Sequence, residues 1–208
     1  MRLHGTASMN LFLVICQGCG LAAAAGIRPF LPALVAGAAA SANFAVDFGG
    51  TDFAFMERGP FLLAVVVLLV LAVLAERRLG SARMERGPVG AAIAGIGLGL
   101  GALLFAGSLA DEGYAAWPGI VAGLACAAVA QFAVRPLLRR VRERFEAADD
   151  HQAAAALTVY ADGASLALAV ASLLLPPIGL IALLALIWLA ISGRRREGEK
   201  YAGLRSLR

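Results

Sequence analysis

Two ionisable side chains lie deep inside apolar stretches of this 208-residue chain. Arg28 occurs in the run AAAAGIRPFLPAL, residues 22–34, and Asp162 occurs in TVYADG, residues 158–163. A charged residue at the centre of a membrane helix costs roughly 2.5–3.5 kcal/mol on insertion scales, so it faces protein or a water-filled cavity, usually with a partner. Because the two charges are opposite, we expect Arg28 and Asp162 to form an ion pair.

Both charges are accompanied by residues that interrupt helices. The predicted breaks are glycine and proline residues: Gly26, Pro29, Pro32, Pro176 and Pro177. Proline removes a backbone donor, and its ring clashes with the preceding turn of a helix. In secondary transporters, broken helices hold substrate or ions near the middle of the membrane. The pattern therefore predicts a midplane polar site at Arg28 and Asp162. A purely structural ion pair, or an arginine that reaches the membrane surface, is the alternative.

The composition is that of a membrane protein. Hydrophobic residues make up 61% of the chain and the mean hydropathy is +0.81. Charged residues make up 15%, against about 25% in an ordinary soluble domain. The apolar residues form blocks near the ~17–25 residues that a membrane-crossing helix needs, and they lack the alternation of a transmembrane barrel. These features predict an all-α, polytopic transmembrane helical bundle.

The bundle is predicted as a single membrane domain over residues 1–208, with interrupted helical hairpins at both ends. Residues 9–42 would form the N-terminal broken hairpin, with two short arms that cross or re-enter the membrane. Spans are expected at residues 60–77, 88–110 and 117–135, and the C-terminal hairpin at residues 153–175 and 178–192. Residues 137–152 predict a cytoplasmic amphipathic helix, with a solvated linker helix as the alternative.

The charge layout predicts the orientation of the chain. Most basic residues lie beside the apolar blocks, within residues 77–86, 135–144 and 194–208. Acidic residues occupy the other loops: Asp47, Asp52, Asp111 and Glu112. Because basic residues mark cytoplasmic loops, we predict a multi-pass membrane protein with a cytoplasmic C-terminus; the side of the N-terminus stays open. Topology and anionic lipid explain the basic groups, so no nucleic-acid partner is expected.

Glycines recur at four-residue spacing in two of the predicted spans. They are Gly95, Gly97, Gly99, Gly101, Gly119 and Gly123. A G-x-x-x-G pair lets two membrane helices approach closely, so these residues predict helix packing inside the chain or in a homo-oligomer. A glycine-lined pore is the alternative. A phosphate-binding loop is excluded because no strand precedes the glycines.

Other chemistry has weaker support in the sequence. Cys16 and Cys19 have the C-x-x-C spacing of a thiol oxidoreductase, but that chemistry usually needs a second dithiol, and Cys126 alone cannot supply one. Small apolar residues in a helix are the alternative reading of these cysteines. The histidines, His4 and His151, lie outside the apolar blocks. No catalytic residue, metal or cofactor is therefore predicted.

Several of these segments together resemble one family. They are GL at residues 20–21, GIRPFLPAL at 26–34, YADG at 160–163, the apolar hairpin that follows and the arginine-rich tail. This pattern resembles the bacterial membrane family catalogued as domain of unknown function four-one-two-six, in order over most of the chain. The resemblance implies a helical protein of the bacterial inner membrane. The family has no agreed activity, so the resemblance implies no mechanism.

Three functions remain open for a protein of this kind, which we do not expect to be an enzyme. The first is a small permease or channel-like transporter of unknown substrate, with Arg28 and Asp162 as its polar site. The second is a non-transporting membrane scaffold or lipid-interacting protein. The third is a membrane thiol oxidoreductase. In each case the lipid bilayer is the first partner, with a homo-oligomer as a further expectation.

Overall fold

The computed structural model describes residues 4–80, 87–148 and 151–205, which form seven α-helices, one short 3-10 helix and no strand. The α-helices are α1 (His4–Ile27), α2 (Phe30–Ser41), α3 (Gly59–Leu79), α4 (Pro88–Asp111), α5 (Trp117–Ala147), α6 (His151–Leu174) and α7 (Pro176–Arg205). The 3-10 helix is Ala54–Glu57. The predicted all-α bundle, with an interrupted hairpin near each end, is confirmed.

Five helices in the described ranges are long and apolar enough to cross a membrane. These spans are Asn10–Ile27, Gly59–Arg78, Pro88–Asp111, Trp117–Phe145 and Ala156–Leu174. The first of them corrects the prediction of two short N-terminal arms, because α1 extends over 24 residues. Its polar first turns contain no residue that stops a helix. α2 and the apolar part of α7, Pro176–Ser192, are shorter.

α1 is the central helix of the bundle. It packs against α2, α4, α5, α6 and α7, and 67% of its apolar span is buried. Alanines at residues 22–25 are fully buried and leave room for these neighbours. α3 lies at the edge, where it packs on α2 and the 3-10 helix, and only 6% of its span is buried. The charge on Arg28 therefore lies at the end of the most enclosed helix.

The two hairpin breaks lie where prolines were predicted to place them. Pro29 precedes the first residue of α2, and Pro176 and Pro177 begin α7 directly after Leu175. Proline is tolerated at the start of a helix because the N–H groups of the first turn have no partner there. The predictions for Pro29, Pro176 and Pro177 are confirmed.

Two of the other predicted breaks are wrong. Pro32 is the third residue of α2, where a missing N–H costs no helical hydrogen bond, and the helix continues through it. Gly26 lies inside α1, and a Cβ placed on it would collide with the backbone of Ala127 in α5. Gly26 therefore permits a close helix contact and does not end the helix.

The predicted end of a span at residue 135 is also wrong. α5 continues through Pro136 to Ala147, so residues 137–147 extend the span and do not form a separate surface helix. A proline inside a membrane helix is tolerated when neighbouring helices hold the segment in place. The extended part of α5 keeps an exposed polar face, where Arg139 and Glu143 approach to 3.8 Å. Residues 149–150 of the predicted 137–152 helix lie outside the described residues.

Four of the six predicted packing glycines contact another helix. A Cβ on Gly101 would lie 2.7 Å from the Ala127 Cβ, and one on Gly97 would lie 3.0 Å from the Ala25 oxygen. Gly119 and Gly123 of α5 meet the α4 backbone in the same way, at 2.7 Å from the Cα atoms of Ala106 and Ala102. Gly95 and Gly99 have no described atom within 4 Å of the corresponding position. Packing inside the chain is therefore wrong for this pair.

Alanine substitutions should separate these two kinds of glycine. Gly101→Ala is expected to destabilise the protein by about 1–3 kcal/mol, since α1 and α5 must move away from the new methyl group. Gly99→Ala, two residues away on the same helix, should be neutral or stabilising by up to about 1 kcal/mol. Unfolding in mixed detergent micelles measures both. An equal loss in both variants would mean that a second copy of the chain covers Gly95 and Gly99.

Candidate functional site

Arg28 forms ion pairs with two carboxylates that come from different helices. Its Nε lies 3.2 Å from Oδ1 of Asp162 on α6, and its Nη1 lies 3.7 Å from Oε2 of Glu76 on α3. The predicted pairing of Arg28 with Asp162 is confirmed. The side chains of Arg28, Glu76 and Asp162 are 25%, 17% and 30% exposed, so the cluster is screened from solvent without being sealed.

The hairpin break positions the arginine. Arg28 is the first residue after α1, and its N–H still donates to the Ala24 carbonyl at 3.1 Å, so it continues the last turn of that helix. A positive side chain is favourable at a helix C-terminus, where unsatisfied carbonyls carry partial negative charge. Pro29 then turns the chain into α2. The break therefore fixes Arg28 at the end of the central helix, opposite α3 and α6.

A hydroxyl group extends the cluster to a second arginine. Thr158, one turn before Asp162 on α6, donates a hydrogen bond to Oε1 of Glu76 at 2.8 Å and accepts one from Nη2 of Arg142 at 3.3 Å. Arg142 of α5 is only 3% exposed. The two arginines and two carboxylates cancel in formal charge, and they alternate in sign along the network. This alternation lowers the cost of placing four charges within a helical bundle.

A small cleft lies beside the cluster. Its free volume is about 30 Å³, and its walls include Arg28, Glu76 and Asp162 together with apolar side chains of α2, α3 and α4 such as Phe30, Leu69 and Ile93. A water molecule occupies roughly 30 Å³ of liquid, and about half that free volume can hold one. In this conformation the cleft therefore has room for one or two water molecules.

The cluster does not lie at the centre of the apolar spans but nearer to their basic end. Asp162 follows Ala156 by six residues and precedes Leu174 by twelve, which corresponds to about 9 Å and 18 Å of helix. Glu76 directly precedes Arg77 and Arg78 at the end of α3, and Arg142 lies in the basic extension of α5. The charged network therefore connects the interior of the bundle to its basic end.

Three members of the network were not among the predicted site residues. Glu76 lies at the end of an apolar block, where the membrane interface can solvate a charge, so the sequence did not indicate it as a site residue. Arg142 falls within residues 137–152, which were predicted to form a cytoplasmic amphipathic helix outside the spans. Thr158 gave a usable signal, since it precedes Asp162 by four residues and therefore shares its helix face. Residues of this kind become recognisable only when the neighbouring helices are in place.

The cysteines are enclosed by the helices. Cys19 of α1 lies 3.9 Å from Cys126 of α5, sulfur to sulfur, and all three thiols are free. None of the three residues is more than 8% exposed, so a thiol–disulfide partner has no access to them in this conformation. Among the described residues, no group of three or more histidine, cysteine or acidic side chains is placed to hold a metal ion.

Fold and site together define a multi-pass helical membrane protein with a charged network inside the bundle. The family model described as domain of unknown function (DUF4126) matches residues 15–196. The chain belongs to this family, as the sequence resemblance indicated. No curated protein and no solved structure gives a significant match.

Proposed function

We propose that this protein is a small channel-like permease that moves protons through the Arg28 cluster. The observation that carries the proposal is one arginine shared by two carboxylates from different helices, beside a cleft of water-molecule size. Ionisable residues inside membrane bundles mark ion pathways and proton relays. A structural ion pair needs one carboxylate, whereas the second gives the cluster a group that can accept a proton.

The ligand set favours a proton over a metal cation. Na⁺, Mg²⁺ and Ca²⁺ are bound by several oxygen ligands, whereas the cleft offers two carboxylates that already form ion pairs with Arg28. A proton needs a single carboxylate oxygen and a water molecule to deliver it. Asp162 is the more exposed of the two carboxylates, at 30% against 17% for Glu76. We therefore assign Asp162 as the group that exchanges its proton with water in the cleft.

Protonation would also change how the helices are held together. With both carboxylates charged, Arg28 links the end of α1 to α3 and α6. A proton on Asp162 removes the charge that attracts Arg28 to α6, while the pair with Glu76 remains. The equilibrium position of α6 relative to α1 then depends on protonation, which is what a proton-gated pathway requires.

Proton flux into liposomes tests this function. The purified protein is reconstituted with a pH-sensitive dye inside, and a potassium diffusion potential drives protons inward. Asp162→Asn is expected to lower the initial rate at least tenfold, while Glu143→Gln, on the exposed face of α5, should stay within twofold of the parent protein. Liposomes with the parent protein that acidify no faster than empty ones would refute the proposal.

A non-transporting scaffold is the second candidate, and the closed state of the cluster favours it. The formal charges cancel, and the free volume of the cleft is only about 30 Å³. In this case the folded parent protein should show no flux, whereas Asp162→Asn destabilises the fold under either function. Flux by preparations shown to be folded therefore distinguishes the two functions.

A further inference from the structure

We propose that residues 42–58, between α2 and α3, form a lid on the acidic end of the bundle, and that α2 couples this lid to the Arg28 cluster. The contacts of the lid indicate that it can open and close. A role of this opening as the gate of the proton pathway rests on the proposed function. The lid reaches α4 at the end that carries Asp111 and Glu112, opposite the basic end where Arg28 lies.

The lid is packed into the helices like a small core. Four of its side chains are at most 8% exposed: Val46, Phe48, Phe53 and Met56. Phe44 and Phe55, in the same segment, are 55% and 40% exposed. A simple connection over the surface would leave its apolar side chains accessible, so the four buried ones indicate a docked state.

Glycines on two helices form the sockets for this docking. A Cβ on Gly107 of α4 would lie 2.7 Å from the Phe48 ring and 2.9 Å from the Met56 Cε. A Cβ on Gly37 of α2 would lie 2.6 Å from the Met56 carbonyl oxygen. Any side chain at either position would push the lid out, so the closed state depends on both glycines.

Two polar contacts hold the lid in place. The Gln17 side chain of α1 donates a hydrogen bond from Nε2 to the Ala45 carbonyl at 3.1 Å, and Gln17 is only 8% exposed. The N–H of Asp47 donates to Oδ2 of Asp111 on α4 at 3.2 Å. The first contact satisfies a polar group that would otherwise be buried without a partner, which is energetically unfavourable.

Backbone strain favours release of the lid. Asn43 and Ala45 have φ values of 51° and 63°, in the left-handed region. Asparagine tolerates this region, whereas the Cβ of alanine crowds the following carbonyl oxygen there. Such strain persists only where surrounding contacts hold it, and it is characteristic of segments that switch between two states. Ala45 is therefore both the strained residue and the residue whose carbonyl accepts the hydrogen bond from Gln17.

α2 connects the lid directly to the charged cluster. It begins at Phe30, two residues after Arg28, and ends at Ser41, the residue before the lid. Its 12 residues form a rod of about 18 Å. α2 also packs against α3 and α6, which carry Glu76 and Asp162. A change in the ion pairs that shifts Arg28 must therefore move α2 or bend it, and a shift of α2 alters the Gly37 socket.

Cysteine labelling in lipid nanodiscs tests the coupling without any transport assay. The three native cysteines are replaced by alanine, and Val46→Cys is the reporter because it changes little in size and the position is 4% exposed. Phe44→Cys, two residues away and 55% exposed, is the matched control. With an impermeant maleimide we expect the reporter to react at least tenfold more slowly than the control.

Substitutions in the cluster should then open the lid. Asp162→Asn and, as a second variant, Glu76→Gln are expected to raise the reporter rate at least threefold and to leave the control rate unchanged. Gln17→Met should raise the reporter rate by removing the hydrogen bond to Ala45.

A reporter that already reacts as fast as the control would overturn the lid. A reporter that responds to Gln17→Met but to neither cluster variant would overturn the coupling. If the lid responds while the liposomes show no proton flux, the proposed function fails and the coupled lid stands.

Discussion

Replacing Arg28 with methionine is expected to lower the free energy of unfolding by about 2–4 kcal/mol, below the extreme for fully buried pairs because a quarter of the side chain is exposed. Methionine preserves most of the side-chain volume and removes the charge. Asp162 and Glu76 then keep their desolvation cost and lose the cation that compensates for it. Unfolding in mixed micelles, monitored by circular dichroism, measures the loss.

Arg139→Met is the matched control for this substitution. Arg139 also forms an ion pair, with Glu143 at 3.8 Å, but the two side chains are 56% and 50% exposed. An exposed pair contributes about 0–1 kcal/mol. A similar small effect in both variants would show that the Arg28 pairs are solvated like surface pairs, and the cluster could then not bias the helices.

A double-mutant cycle isolates the ion pair from other effects of the substitution. Arg28→Met combined with Asp162→Asn should be less destabilised than the two single variants predict, because the neutral amide no longer needs the arginine. We expect a coupling energy of about 1–3 kcal/mol, the range for residues in one charged network. Additive effects would mean that the 3.2 Å contact contributes nothing to stability.

The pairing of Arg28 with Asp162 was predictable because its cause is contained in the sequence. Both charges lie within apolar stretches, they have opposite signs, and the energetic cost of a solitary charge in a membrane is large. The break at Pro29 was predictable for a similar reason, since proline acts on its own backbone and on the preceding turn. Both predictions depend on local chemistry, which tertiary packing seldom reverses.

The place of Arg142 in the network could not be predicted, because it depends on where α5 ends. Pro136 indicated a helix end, and the residues after it therefore read as a surface segment. Packing carries α5 through the proline, which brings Arg142 inside the bundle and next to Thr158. A single error about one helix end thus removed Arg142 and its contact with Thr158 from the predicted site.

The glycines show a second limit of sequence reasoning. G-x-x-x-G spacing places two glycines on one helix face, but it does not tell which face meets a neighbour. Residues two apart on a helix are separated by about 200°, so the pair Gly95 and Gly99 points away from the pair Gly97 and Gly101. Only the second pair packs inside the chain. The spacing alone fitted both pairs equally well.

Gly20→Ala is expected to destabilise the protein by about 3 kcal/mol, at the upper end of the range for overpacking. A Cβ on Gly20 would lie 2.6 Å from the Gly179 Cα of α7 and 2.7 Å from the Ser172 Cβ of α6. Backbone and Cβ atoms cannot rotate away as the end of a long side chain can, so the α6–α7 hairpin must move off α1. Unfolding in mixed micelles measures the effect.

The same substitution should also weaken the charged cluster, although it lies eight residues from Arg28 on α1. α6 carries both Ser172, which rests against Gly20, and Asp162, which holds Arg28. A methyl group on Gly20 that displaces Ser172 therefore also tilts α6 at Asp162. The Arg28–Asp162 coupling energy, measured again in the Gly20→Ala background, should therefore fall by at least half.

Gly163→Ala is the control for this prediction. It lies beside Asp162, but no described atom is within 4 Å of the new methyl group, so the coupling energy should stay unchanged. If Gly20→Ala lost stability and kept the full coupling energy, α6 would have to bend between Ser172 and Asp162, and the packing of the hairpin on α1 would then not be what positions the site.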